Sequence, residues 1–183
     1  MAMFPELHSE RLILRDFRKS DFDIHNEFLS DFDVSKMLTV VPHPYTKDDG
    51  EWWFDHCLTT PHNEEINWVI DNGEGLVGVI GIRNVSTTPH LGYWLAKSAW
   101  GKGYASEATN MVCDYVFNRL SALAMNTGLF TINPKSLNVL QKNGFEVTGE
   151  TKEKNRARGD IEMDYTTVTL TKDRWQAMQA IAA

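Results

Sequence analysis

The stretch Leu91-Gly92-Tyr93-Trp94-Leu95-Ala96-Lys97-Ser98-Ala99-Trp100-Gly101-Lys102-Gly103-Tyr104-Ala105-Ser106-Glu107-Ala108 decides how the rest of this sequence is read. An apolar strand passes through a short loop with two glycines straight into a helix. Gly101 and Gly103 permit a tight turn and leave no side chain in the way of an approaching ligand. The helix starting near Gly103 presents unpaired N–H groups and the positive end of its dipole at the same place. Such a construction seats a phosphate or pyrophosphate with little help from side-chain charge. A phosphate-bearing cofactor is the first expectation.

Upstream of the loop, residues 11–15 alternate as a short strand. Ser20 with Asp23 has the spacing of a capping box, Phe17 and Ile24 suit a hydrophobic staple, and a helix follows to about Ser30. Thr46 with Asp49 repeats the capping pattern and opens a helix carrying Trp52, Trp53, Phe54 and Cys57. Residues 66–71 and 76–83 read as strands joined by the turn Asn72-Gly73-Glu74-Gly75. Gly78 and Gly81 mark a bulge or a close backbone approach. With residues 91–95 these strands make an antiparallel meander.

Downstream, Ala105, Ala108, Val112, Tyr115 and Val116 recur at helical spacing and predict a helix over 103–120. Residues 121–130 read as a strand parallel to its predecessor, because a helix separates them. Asn133-Pro134 supplies an N-cap and a first-turn proline, and Gly144 ends that helix as a left-handed glycine. Residues 145–149 and 161–170 predict a terminal hairpin, with Lys152-Glu153-Lys154-Asn155-Arg156-Ala157-Arg158 as a solvated loop beside it. A short helix runs from Lys172.

The 183 residues, 42% hydrophobic and 23% charged, suit one domain with a real core. No internal repeat or linker divides them. The net charge of −7 disfavours nucleic acid and favours cationic partners, amines among them. No apolar run is long enough to span a membrane. Met1-Ala2-Met3-Phe4-Pro5-Glu6 has neither the basic start nor the apolar run of a secretory signal, so a cytoplasmic location is expected. Cys57 and Cys113 are too few for a disulfide scaffold or a four-ligand zinc site. His8, His25, His43, His56 and His62 lack metal-ligand spacing, and no metal is expected.

The loop nearly spells the dinucleotide fingerprint, as Gly101-x-Gly103-x-x-Ser106. That reading demands an acidic residue about 20 positions on to hold a ribose, and none occurs between Asp114 and Glu146. A nicotinamide oxidoreductase is therefore disfavoured. The absence of Gly-x-x-x-x-Gly-Lys-Ser/Thr disfavours a P-loop nucleotide site.

The element order is instead similar to that of the GNAT acyltransferases, and within them to the RimJ/RimL branch of ribosomal-protein N-terminal acetyltransferases. The likeness rests on Ser9-Glu10-Arg11-Leu12-Ile13-Leu14-Arg15, Gly92-Tyr93-Trp94-Leu95, and Trp100-Gly101-Lys102-Gly103-Tyr104-Ala105-Ser106-Glu107-Ala108. Asn133-Pro134-Lys135-Ser136 and Val139-Leu140-Gln141-Lys142-Asn143-Gly144-Phe145 complete it. The family's Gln/Arg-x-x-Gly-x-Gly/Ala loop maps onto residues 100–105, with Trp100 a departure at its first position. The resemblance implies a single domain over residues 1–183 of α/β (α+β) class. Its centre would be a mixed sheet of about seven strands flanked by helices.

The resemblance also implies acetyl-CoA as co-substrate and an amine as acceptor, either a peptide N-terminus or a small molecule. The pyrophosphate would lie on Gly101, Lys102, Gly103, Tyr104, Ala105 and Ser106, with the Lys102 cation nearby. Pantetheine would follow the edge of Tyr93, Trp94 and Leu95 and meet the Asn133 amide. A backbone N–H near Leu95 would serve as oxyanion donor, a role worth about 3 kcal/mol of barrier. Ser136 would donate to the departing sulfur, or merely satisfy its helix terminus.

A base or a water chain must take the ammonium proton. His90 is one candidate, standing where this branch often has an acid and sharing a strand face with Gly92 and Trp94. Glu107 is another, although an acid in a first helical turn has a structural job already. The competing class is a non-catalytic acyl-CoA-binding module, against which the presence of Asn133 and Ser136 speaks. Either a monomer or a homodimer is compatible with the sequence.

Overall fold

Eight strands form one mixed sheet in the order β1-β2-β3-β4-β5-β6-β8-β7. They are β1 (Leu7–His8), β2 (Ile13–Arg15), β3 (Glu65–Asp71), β4 (Leu76–Arg83), β5 (His90–Leu95), β6 (Ala124–Phe130), β7 (Glu146–Asn155) and β8 (Ile161–Thr171). The helices are α1 (Phe22–Ser30), α2 (Phe32–Ser35), α3 (Lys47–Thr59), α4 (Tyr104–Asp114), α5 (Pro134–Lys142) and α6 (Lys172–Ala182). This computed structural model describes residues 4–182. The first three residues of the N-terminal stretch read above thus lie outside the described residues.

Alternation along the meander sends side chains to two cores. Ile66, Trp68, Ile70, Ile80, Ile82, Leu91 and Leu95 meet Ala108, Val112 and Cys113 of α4 and Leu140 of α5. On the opposite face Val69 and Val79 join Phe17 and Leu76, with Ile24 and Phe28 of α1 and Trp53, Phe54 and Cys57 of α3 against them. Trp94 of β5 packs on this second cluster. The sheet therefore carries α4 and α5 on one side, and α1 and α3 on the other.

All neighbours are antiparallel except β5 and β6, which run parallel and register at a single position, His90 opposite Asn126. Asn126 N–H donates to Pro89 O at 2.9 Å, and Thr127 Oγ1 donates to Leu91 O at 2.8 Å. Beyond these contacts the two strands diverge, opening a notch along Gly92–Leu95. Gly78 and Gly81 are sites of close approach, as expected. A Cβ at Gly78 would sit 2.3 Å from Trp94 O, and one at Gly81 2.1 Å from Asn67 Oδ1.

Several sequence expectations are corrected. The sheet has eight strands rather than about seven, because the two-residue β1, too short to show alternation, pairs with β2. The first capping box lies at Arg18 and Asp21, not at Ser20 and Asp23. Asp21 accepts from Arg18 N–H and from buried Arg15, and this starts the chain turning two residues early. The predicted 103–120 helix ends as a π-helical turn over Tyr115–Arg119, and the strand after it starts at Ala124 rather than Ser121. The capping box of Thr46 and Asp49 stands as read.

The largest correction concerns residues 152–158. They are not a solvated loop, since β7 continues through Asn155 and a 3₁₀ turn follows over Arg156–Arg158. Asn155 is fully buried, its Nδ2 donating to Lys36 O at 2.8 Å and its Oδ1 accepting from Arg158 N–H at 3.0 Å. Arg156 N–H donates to Thr39 O at 3.1 Å. The tip of the terminal hairpin is thus stitched to the chain just after α2.

Candidate active site

The glycine loop has the backbone its sequence suggests. Gly101 has φ +76° and Gly103 φ +83°, left-handed values that other residues adopt only with strain. Gly103 is the N-cap of α4 and offers no side chain to its first N–H groups. Nothing lies within 4 Å of where a Cβ on Gly101 would stand. A Cβ on Gly103 would meet Arg11 Nη2 at 3.3 Å, and the open N–H groups beside the space in front of Gly101 fit a diphosphate. Ser106 Oγ is held by Asn143 Nδ2 at 3.1 Å, which ties this helix start to the end of α5.

Beneath the loop lies a bracket that sequence reasoning missed. Glu107 accepts from Ser9 Oγ at 2.8 Å, from Arg11 Nε at 2.8 Å, and from the Arg11 backbone N–H at 3.3 Å. Arg11 Nη1 donates to Lys102 O at 3.0 Å, and its guanidinium lies 5.2 Å from the centre of the Tyr104 ring. Burial raises the Glu107 pKa, but the bonds from Ser9 and Arg11 outweigh it and hold the carboxyl below its ordinary value. Each carboxylate oxygen is engaged. Glu107 is therefore a strut of the loop, and the expectation that it rivals His90 as a base is withdrawn. Its one hint in the sequence was that Arg11 stands in the motif from Ser9 to Arg15 on which the family likeness rested.

On the same side of the sheet, Asn133 Oδ1 caps α5 by accepting from Ser136 N–H at 3.2 Å. Ser136 Oγ and Tyr93 Oη lie 2.8 Å apart. Burial outweighs that bond and pushes the Tyr93 phenol up to about 12. The phenol therefore stays protonated and able to donate. Leu95 O accepts from Trp100 Nε1 at 2.9 Å, so the tryptophan at the loop's irregular first position pins the end of β5. Lys135 Nζ lies 5.7 Å from the centre of the Trp100 ring. Tyr93 and Ser136 thus meet on the face that carries α4 and α5, with Trp100 and Lys135 linking the glycine loop to β5 and α5.

His90 belongs to the other side. Alternation puts it with Trp94 on the face that carries α1 and α3. There it lines a cleft of about 460 Å³ with Arg83, Thr127, Tyr165 and Thr167 from the sheet. Thr39 and Val40 cover one end, and Glu153, Lys154, Arg156 and Asp160 of the hairpin form the far wall. Tyr165 leans over Gly128, where a Cβ would stand 2.1 Å from its ring. Burial, with a smaller contribution from the Arg83 charge, lowers the His90 pKa to about 4. The imidazole is neutral at pH 7.

The remaining candidates are structural. Trp53, Phe54 and Cys57 pack on the second core, while Trp52 is exposed. Cys113 is buried. Among the described residues no group of three or more His, Cys, Asp or Glu side chains is placed to hold a metal ion, and no helix is long and apolar enough to cross a membrane.

The sequence matches the family model of the acetyltransferase (GNAT) domain over residues 11–146. Among curated relatives, the uncharacterized N-acetyltransferase p20 of Bacillus licheniformis is 26% identical over 161 residues, covering 85% of this chain and 90% of the relative. The probable N-acetyltransferase YjcK of Bacillus subtilis is 36% identical over 78 residues, 40% of this chain and 43% of the relative. Among solved structures, the spermidine N-acetyltransferase of Vibrio cholerae in complex with CoA and spermine superposes with a TM-score of 0.77 at 18% identity, covering 92% of this chain and 99% of that one. RimJ of Mycobacterium smegmatis, in complex with CoA-disulfide, gives 0.80 at 20% identity, covering 96% and 95%.

Proposed function

Because the chain belongs to the GNAT acetyltransferase family, we propose that it transfers an acetyl group from acetyl-CoA directly to an amine, with both substrates bound at once. The observation that carries this reading is the division of the site by the sheet. The glycine loop, Asn133 and Ser136 lie on one face and the His90 cleft on the other, and the notch between β5 and β6 begins at the His90–Asn126 rung beside that cleft. A donor approaching from one side and an acceptor from the other meet at the notch without a covalent enzyme intermediate.

When bound, acetyl-CoA supplies an activated thioester carbonyl. The N–H groups from Lys102 to Ser106 hold its diphosphate, and the free edge of Tyr93, Trp94 and Leu95 aligns its arm. A backbone N–H near Leu95 stabilises the charge that builds on the carbonyl oxygen. The amine nitrogen forms the new C–N bond as the C–S bond breaks. Ser136 donates a hydrogen bond to the departing thiolate while accepting one from the Tyr93 phenol, and the thiolate takes its proton from solvent. The proton lost by the ammonium passes to water in the cleft, with His90, at the other end of β5 from Leu95, as a candidate acceptor along that water. The likeness to the RimJ/RimL branch favours peptide N-termini, and small amines remain within the same chemistry.

Release of free thiol from acetyl-CoA, followed across a panel of amines and peptides, tests this reading. Ser136→Ala is expected to lower kcat roughly a hundredfold and to leave KM for acetyl-CoA nearly unchanged. Acetyl-CoA binding by calorimetry with no thiol released by any amine would replace the enzyme with a binding module.

A further inference from the structure

The charge lining the cleft runs against the charge of the whole chain. Three permanent cations, Arg83, Lys154 and Arg156, face two carboxylates, Glu153 and Asp160, in a protein of net charge −7. Elsewhere several basic residues are paired, as Lys36 and Lys97 are with Asp33, Lys152 with Asp164, and Arg174 with Glu146. Arg83 has no acidic partner among the described residues. Its cross-strand neighbour Glu65 is engaged by Asn67 Nδ2 at 2.7 Å and by His56 Nε2 at 3.3 Å. The Arg156 guanidinium donates to Val40 O at 3.4 Å, and its charge also acts on Asp49.

A guanidinium left free in a concave site recognises a carboxylate with two parallel donors. Arg83 also stands directly across from His90 in the β4–β5 register. An anion held there lies beside the group that faces the incoming amine. A polyamine would instead bring its charges against three like ones.

Resting on the acetyltransferase reading above, we propose that the acceptor is an amine with a carboxylate close to it, and that Arg83 is the residue selecting it. An anion on Arg83 offsets the positive charge next to His90 and so favours proton uptake by the imidazole. The volume of about 460 Å³ suits a free amino acid or the first two residues of a peptide with an acidic side chain.

The test compares matched acceptors by thiol release. One arm pairs free α-amino acids with their amides. A second pairs amidated peptides carrying Glu or Gln at the second residue. Spermidine is the cationic control. The carboxylate-bearing member of at least one pair is expected to have kcat/KM roughly tenfold to a hundredfold higher. The arm that responds identifies the source of the carboxylate.

Arg83→Gln should bring that ratio close to one through KM, Arg83→Lys should keep part of it, and Arg119→Gln, at the end of the π-helical turn after α4, should not alter it. Calorimetry of the CoA-loaded protein with N-acetyl amino acids against their amides should show the same preference. Equal or better turnover of spermidine or the uncharged partners would overturn the proposal and leave the acetyltransferase reading standing. Silence from every amine would remove both.

Discussion

Buried His25 couples folding to acid in this protein. His25 of α1 is fully buried against Phe17, Phe54 and Trp94, its ring edge-on to each, and its Nε2 has no partner. Burial lowers its pKa from 6.5 to about 4. Between those values the unfolded chain binds a proton that the folded chain refuses, so stability is present above pH 6.5 and drains as pH falls toward 4. Denaturant titration at pH 7 and pH 5 is expected to show a loss of about 2 kcal/mol from this residue. His25→Phe, which keeps a ring in the cage, should remove most of that difference. His90 adds a smaller share, because solvent reaches it. An unchanged pH dependence in His25→Phe would place the acid sensitivity elsewhere.

At the level of elements, strands and loop were legible wherever periodicity or glycine carried the signal. The meander, the parallel step into β6, the Thr46 cap and the Asn133-Pro134 start of α5 follow from local chemistry and appear as read. What stayed hidden depends on contacts distant in sequence. The strand character of residues 150–155 comes from pairing with β8, since Glu150, Lys152 and Lys154 show no apolar alternation. The Arg11–Glu107 strut spans 96 positions, and no spacing rule reaches that far. The glycines of β4 were readable as close approaches, and they carry a measurable consequence. Gly78→Ala would press a methyl against Trp94 O and Leu95 Cδ2, 2.7 Å away, and should cost about 2 kcal/mol. That corresponds to a Tm roughly 6 °C lower. Gly92→Ala, with nothing within 4 Å of the added atom, should leave Tm unchanged.

Across the whole molecule, the two substrate sides are held in place by different parts of the chain. The β1–β2 end braces the glycine loop through Arg11, and the terminal hairpin closes the cleft through Asn155. Asn155→Ala removes the donor to Lys36 O and the acceptor for Arg158 N–H. The loss of these two buried bonds should cost about 1–3 kcal/mol. With the hairpin tip released from Thr39 and Val40, KM for the acceptor should rise while KM for acetyl-CoA stays put. Steady-state kinetics with each substrate varied separately checks this. A parallel rise in both constants would mean that the two faces are not independent. The identity of the cleft was the least legible part of the molecule, because its walls come from five strands, a hairpin turn and the chain after α2.

The lone rung between β5 and β6 has a mechanical corollary. Past that rung the inner edge of β5 is left unclaimed by β6, while one continuous core holds the strands on either side in place. The doorway between the two faces is thus part of the resting architecture, open before any guest arrives.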